Sequence, residues 1–96
     1  MRNYELVCLV QPDLDEAAFN ALVERVKGWV AESGGSVDKV DVWGRRRLAY
    51  EIDKKADGIY AVIDMVAEPD TVRELDRQLS LNEAVLRTKI LRPENH

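Results

Sequence analysis

Cysteine occurs once in this 96-residue chain, at Cys8. One cysteine excludes an internal disulfide and a cysteine-built zinc site. Its place inside an apolar run marks it as a small buried hydrophobe rather than a reactive thiol. Histidine also occurs once, at the terminal His96, a poor position for a general base or a metal ligand. No apolar run approaches the roughly 20 residues that cross a bilayer. The N-terminus, Met1-Arg2-Asn3-Tyr4-Glu5, passes directly into strand pattern, so no signal peptide is expected. Gly-rich phosphate loops, nucleophile elbows and metal-spaced clusters are missing too. Most carboxylates fall on predicted polar helix faces, where solvation accounts for them. No catalysis, cofactor, metal, small-molecule substrate or membrane is therefore expected, and a cytoplasmic location fits.

What is present suits a single folded domain spanning residues 1–96, with one core and no room for a second. Hydrophobic residues make up 46 % and charged residues 33 %, the balance of an ordinary globular protein. The net charge of −4 speaks against nucleic acid only until the charges are located. Residues 45–55 carry five basic side chains against two acidic ones, and residues 84–96 carry three against one. The excess of acid lies elsewhere, so a basic surface can coexist with an acidic total.

Periodicity gives the order of elements. A strand runs from about Arg2 to Val10 and ends at Gln11-Pro12-Asp13. Asp15 has the place of an N-cap, with Glu16 beside it near the positive helix end. Phe19, Leu22, Val23, Val26, Trp29 and Val30 then form one helical stripe. Ser33-Gly34-Gly35 ends that helix, with Gly34 as the left-handed cap. A second strand covers about Ser36 to Ile52, with a bulge or bend expected at Gly44. Lys54 to Gly58 is read as the turn, and a third strand covers about Ile59 to Val66. Glu68-Pro69-Asp70 opens a second helix with the stripe Val72, Leu75 and Leu79. A last strand spans about Ala84 to Arg92 and stops at Pro93.

This β-α-β-β-α-β order predicts an α+β, ferredoxin-like split β-α-β fold. Its four-stranded antiparallel sheet has the order 4-1-3-2, with both helices on one face. Alternation sends Tyr4, Leu6, Cys8, Val10, Ile59, Ala61, Ile63, Met65, Leu86, Thr88 and Ile90 toward the helices. The bare face then carries Val7, Leu9, Tyr60, Val62 and Leu91 together with Arg87 and Lys89. Contiguous apolar residues on an uncovered sheet imply a protein partner. Trp43 is left open between partner anchor and core.

Two functions of this fold find no support in the residues. Nothing resembles the arginine-asparagine phosphate loop of acylphosphatase-like enzymes. The RNA-recognition module wants stacking aromatics on its third strand. Asp57-Gly58-Ile59-Tyr60-Ala61-Val62-Ile63-Asp64 lacks two of the three, so base stacking on this sheet is not expected.

The stretch Gly44-Arg45-Arg46-Arg47-Leu48-Ala49-Tyr50-Glu51-Ile52 closely resembles the signature of bacterial small-subunit ribosomal protein six. Met1-Arg2-Asn3-Tyr4-Glu5, the Pro12-Asp13-Leu14-Asp15 turn, Gly58, Glu68-Pro69 and Val85-Leu86-Arg87 are similar as well. The likeness covers nearly the whole chain. It departs at Glu51 and Asp53, where many relatives have proline and a basic residue, which weakens the far end of this strand, with Lys54 and Lys55, as a contact.

The resemblance implies a non-catalytic protein of the small ribosomal subunit. It implies pairing with ribosomal protein eighteen as a heterodimer that binds the central domain of small-subunit ribosomal RNA and supports platform assembly. RNA contact is then expected from Arg2, Arg45, Arg46, Arg47, Arg87, Lys89 and Arg92, with Arg45 and Arg47 on one side of their strand and Arg46 on the other. Arg2 is expected beside Lys89 and Arg92. The protein partner is expected on Val7, Leu9, Tyr60, Val62 and Leu91. The competing expectation is a ferredoxin-like module that senses a small molecule or self-associates through the bare sheet.

Overall fold

Two local signals start and stop the first helix. Asp15 accepts a hydrogen bond from the Ala18 backbone N–H at 2.7 Å, satisfying one of the free donors of the first turn. At the other end Gly34, at φ 91°, donates to the Ala31 carbonyl and Gly35 donates to the Val30 carbonyl. That pair of bonds closes the helix as a Schellman motif. Between them lies α1 (Glu16–Glu32).

The structure, a computed structural model, describes residues 1–52 and 54–92. The expected stop at Pro93, the departure at Asp53 and the terminal His96 lie outside the described residues. The elements in order are β1 (Arg2–Val10), α1, β2 (Ser36–Ile52), β3 (Lys55–Ala67), α2 (Pro69–Ser80) and β4 (Val85–Leu91). The third strand therefore begins four residues before the expected Ile59. Lys54, at φ 64°, makes the turn more tightly than the composition of the segment suggested.

The four strands form one antiparallel sheet in the order β2-β3-β1-β4. This is the expected order read from the other edge. Leu22, Val26 and Val30 of α1 and Val72, Leu75 and Leu79 of α2 pack on Tyr4, Leu6, Cys8, Val10, Ile63, Met65 and Ala67. Both helices thus cover the same sheet face. Each fully buried aliphatic side chain in this layer contributes about 1.5–3 kcal/mol.

One core assignment shifts. The β1–β4 register moves between Leu9 and Val10, so that Val10 meets Val85 rather than Leu86. Val85 and Ile90 pack on the core, and Leu86, expected inward, occupies the irregularity. An extra residue in one strand reverses the facing of every residue beyond it, so alternation cannot be carried across it.

Gly44 marks a bulge, as its position in a long strand suggested. Its φ is 88°, and the β2–β3 register shifts between Val42 and Gly44. A second shift separates Val37 from Lys39. These kinks bend a 17-residue edge strand that would otherwise run straight.

Candidate nucleic-acid interface

The arginine run sits on the edge strand, paired with the start of β3. Arg45 stands opposite Ile59, Arg46 opposite Gly58 and Arg47 opposite Asp57. Partners across a ladder share a face, so Arg45 and Arg47 lie on the helix side with Ile59, and Arg46 lies on the open side. All three are exposed. Their environments differ. The Arg45 Nε donates to Asp57 at 2.6 Å. That bond holds the Asp57 carboxyl below its ordinary pKa and raises the pKa of Arg45. Arg46 lines a shallow recess with Trp43 and Tyr60, whose rings are 6.2 Å apart. Trp43 is about half exposed and stands against Tyr60, so it is not a core residue.

The register assembles the open face directly. Across β3, β1 and β4 it aligns Tyr60–Leu9–Arg87, then Val62–Val7–Lys89, then Asp64–Glu5–Leu91. Cations therefore gather at one end of the face and carboxylates at the other.

This face is not bare. Tyr50, on β2 at one edge of the sheet, accepts a hydrogen bond at 2.5 Å from Arg87, on β4 at the opposite edge. The Arg87 guanidinium lies 5.5 Å from the centre of the Tyr50 ring. Three strand spacings of about 4.8 Å separate those edges. The end of β2 reaches over the open face, since Leu48, Ala49, Tyr50 and Ile52 line one cleft with Val7 and Leu9 of β1 and with Arg87, Thr88 and Lys89 of β4. Tyr60 also lines this cleft, whose volume is about 230 Å³.

The expected partner face is less open than alternation implies. Leu9 is 4 % exposed and Val62 is 7 % exposed, although neither belongs to the helix-side core. Leu9 also packs on Gly58, where a Cβ would come within 2.5 Å of Leu9 Cδ1. Val7 and Tyr60 are half-buried, and Leu91 remains exposed. Strand alternation identifies the side correctly but cannot foresee that the chain returns to cover it.

The remaining cations divide between sites. Arg87 and Lys89 are exposed on the open face. Arg2 pairs with Ala67 and lies on the helix side. The Arg92 guanidinium is 5.9 Å from the centre of the Tyr4 ring, also on that side. Arg2 therefore neighbours Arg92 but not Lys89, which stands opposite Val7, roughly 16 Å along β1 at about 3.3 Å per residue. Tyr4 itself is core, 5 % exposed, as alternation expects. Tyr50 was not foreseen as a member of the face, and Trp43, left open between partner anchor and core, stands on it against Tyr60. The only signal for them was their aromatic character beside a glycine-marked strand.

The profile of the family described as Ribosomal protein S6 matches residues 3–92. The chain belongs to the ribosomal protein S6 family. It is 60 % identical over 96 residues to small ribosomal subunit protein bS6 of Streptomyces griseus, covering all of both chains. It is 61 % identical over 92 residues to bS6 of Nocardia farcinica, covering 96 % of this chain and 97 % of that one. Among solved structures it resembles 30S ribosomal protein S6 of Thermotoga maritima with a TM-score of 0.85. That pair is 34 % identical, over 95 % of this chain and 86 % of the other. Proteins of this family are structural constituents of the small subunit of bacterial ribosomes, not enzymes.

Proposed function

We infer that this chain pairs with ribosomal protein eighteen and that the heterodimer binds the central domain of small-subunit ribosomal RNA, supporting platform assembly. The observation that carries this reading is the placement of Arg46, Arg87 and Lys89 around the apolar open face. Cations on ordered backbone present a fixed array to phosphates, and an adjoining apolar cleft suits a protein side chain. Among the described residues Arg46, Arg47 and Lys89 form no ion pair, which leaves them free for phosphate. Arg45 must first give up Asp57. Arg2 and Arg92 form a separate, smaller contact on the helix side. The acidic excess of the remaining chain weakens RNA binding by the isolated protein, so the preformed heterodimer binds far better.

The test is salt-dependent RNA binding by the heterodimer. Arg46→Ala and Arg47→Ala are each expected to weaken binding across RNA sequences and to lower the salt slope by about one. Unchanged affinity and slope in both variants would remove this cluster from the interface. Sedimentation of the purified chain adds a second check. A stable homodimer indifferent to ribosomal protein eighteen and to RNA favours a self-associating module instead.

A further inference from the structure

Three aromatic rings of this molecule already carry a cation from the chain itself. Arg25 lies over Trp29, Arg87 over Tyr50 and Arg92 over Tyr4. Trp43 carries none among the described residues, although Arg45, Arg46 and Arg47 follow it closely. Its ring is 49 % exposed, and the neighbouring Tyr60 ring has its centre 6.2 Å away and its plane tilted by 36°.

A bulge builds this place. Val42 stands opposite Ala61 and Gly44 opposite Tyr60, so Trp43 is the extra residue on the bulged strand. A bulge re-aims the side chain it carries. Gly44 adds no side chain beside the ring, and a Cβ there would meet nothing within 4 Å. Arg46, opposite Gly58, shares the open face with Tyr60. Together Trp43, Arg46 and Tyr60 line a recess of about 420 Å³ with no carboxylate in its wall. Arg46 forms no ion pair among the described residues.

That cation decides the kind of occupant. An apolar protein side chain would use the rings but bury the guanidinium without an acceptor, which is costly. A nucleotide satisfies both parts, because its base stacks on a ring and its phosphate meets the charge. We propose that Trp43, Tyr60 and Arg46 form a site for one unpaired nucleotide of RNA, with the base on the Trp43 ring and the phosphate on Arg46. The aromatics that β3 lacks for stacking are thus made up from β2. This rests on the RNA-binding reading above and adds the kind of RNA recognised there, an unstacked single-stranded nucleotide.

The experiment measures binding of the heterodimer to a central-domain RNA fragment across salt concentrations, for wild type, Trp43→Leu and Trp43→Phe, with urea midpoints as the check on folding. Trp43→Leu is expected to bind about tenfold more weakly, within the range for one stacked base, with an unchanged salt slope. Trp43→Phe recovers most of that loss, since stacking needs a ring and not apolar bulk. Affinity for ribosomal protein eighteen without RNA stays the same in both variants. A second measurement leaves the site intact. In Trp29→Phe the chain's one remaining tryptophan is Trp43, and the RNA fragment quenches its fluorescence relative to a chain that also carries Trp43→Phe. Unchanged RNA affinity in Trp43→Leu, equal binding by the Leu and Phe variants, or absence of quenching overturns the proposal. Weakened binding of ribosomal protein eighteen makes Trp43 a protein anchor and overturns it as well. Each of these failures leaves the heterodimer reading standing. If the wild-type heterodimer does not bind the fragment, that reading fails first and the nucleotide site falls with it.

Discussion

The Cys8 thiol lies in the sheet layer of the core with 4 % of its surface exposed. Burial pushes its pKa up to about 12 from 9.0, because a thiolate there would lose its hydration. A thiol-reactive dye at pH 8 is therefore expected to leave the native protein unlabelled and to label it fully in denaturant; rapid native labelling would contradict the packing. Below pH 9 the thiol is neutral in both states and stability does not depend on it. Between pH 9 and about 12 only the unfolded chain ionises, so stability falls as pH rises. Local surroundings separate the arginines in the same way. Arg45 has a carboxylate at 2.6 Å, whereas Arg46 and Arg47 form no ion pair among the described residues.

Among the elements, β2 carries most of what distinguishes this molecule. Gly44 holds a φ of 88°, and an added Cβ there would meet nothing within 4 Å. Gly44→Ala is thus a purely conformational test, expected to cost about 1–3 kcal/mol in urea unfolding with an unchanged m-value. A cost near zero would mean that the bulge is not held in place. The bulge was legible in the sequence because glycine in a long strand has few other uses. The facing of β1 and β3 was legible too, since Asn3, Glu5 and Asp64 fix which side is polar. The irregularity at Leu86 was not, because Val85 and Leu86 are both aliphatic and neither marks a kink. Nor was the reach of β2 over the open face. Alternation at Leu48, Tyr50 and Ile52 puts all three on one buried side, whereas Leu48 and Ile52 are half-buried and Tyr50 is 60 % exposed. The separation of Arg2 from Lys89 needed the register, which no composition supplies.

At the scale of the whole molecule, two exposed pairs link stability to pH. A hydrogen bond from Arg77, and then one from Gln78, holds the Glu74 carboxyl at about 2 rather than 4.5. Asp57 is lowered from 3.8 by Arg45. Lowered folded values mean stabilisation that is complete above the unfolded pKa and lost as pH falls through the folded one. The thermal midpoint is therefore expected to drop as pH falls from about 4.5 toward 2. Glu74→Gln should make that drop shallower, and an identical profile would show the pair to be inert. Exposure and salt keep the effect small.

The sheet order has a consequence for synthesis. β1 is made first, yet it lies between β3 and β4, and its Glu5 pairs with Leu91 near the other end of the chain. Contacts so distant in sequence form late and slow the search for the native state. While residues 85–91 are still being added, one side of β1 has no neighbour and its hydrogen-bonding groups are open to any strand nearby. A member of this ribosomal family cannot take its final shape until a working ribosome has made β4.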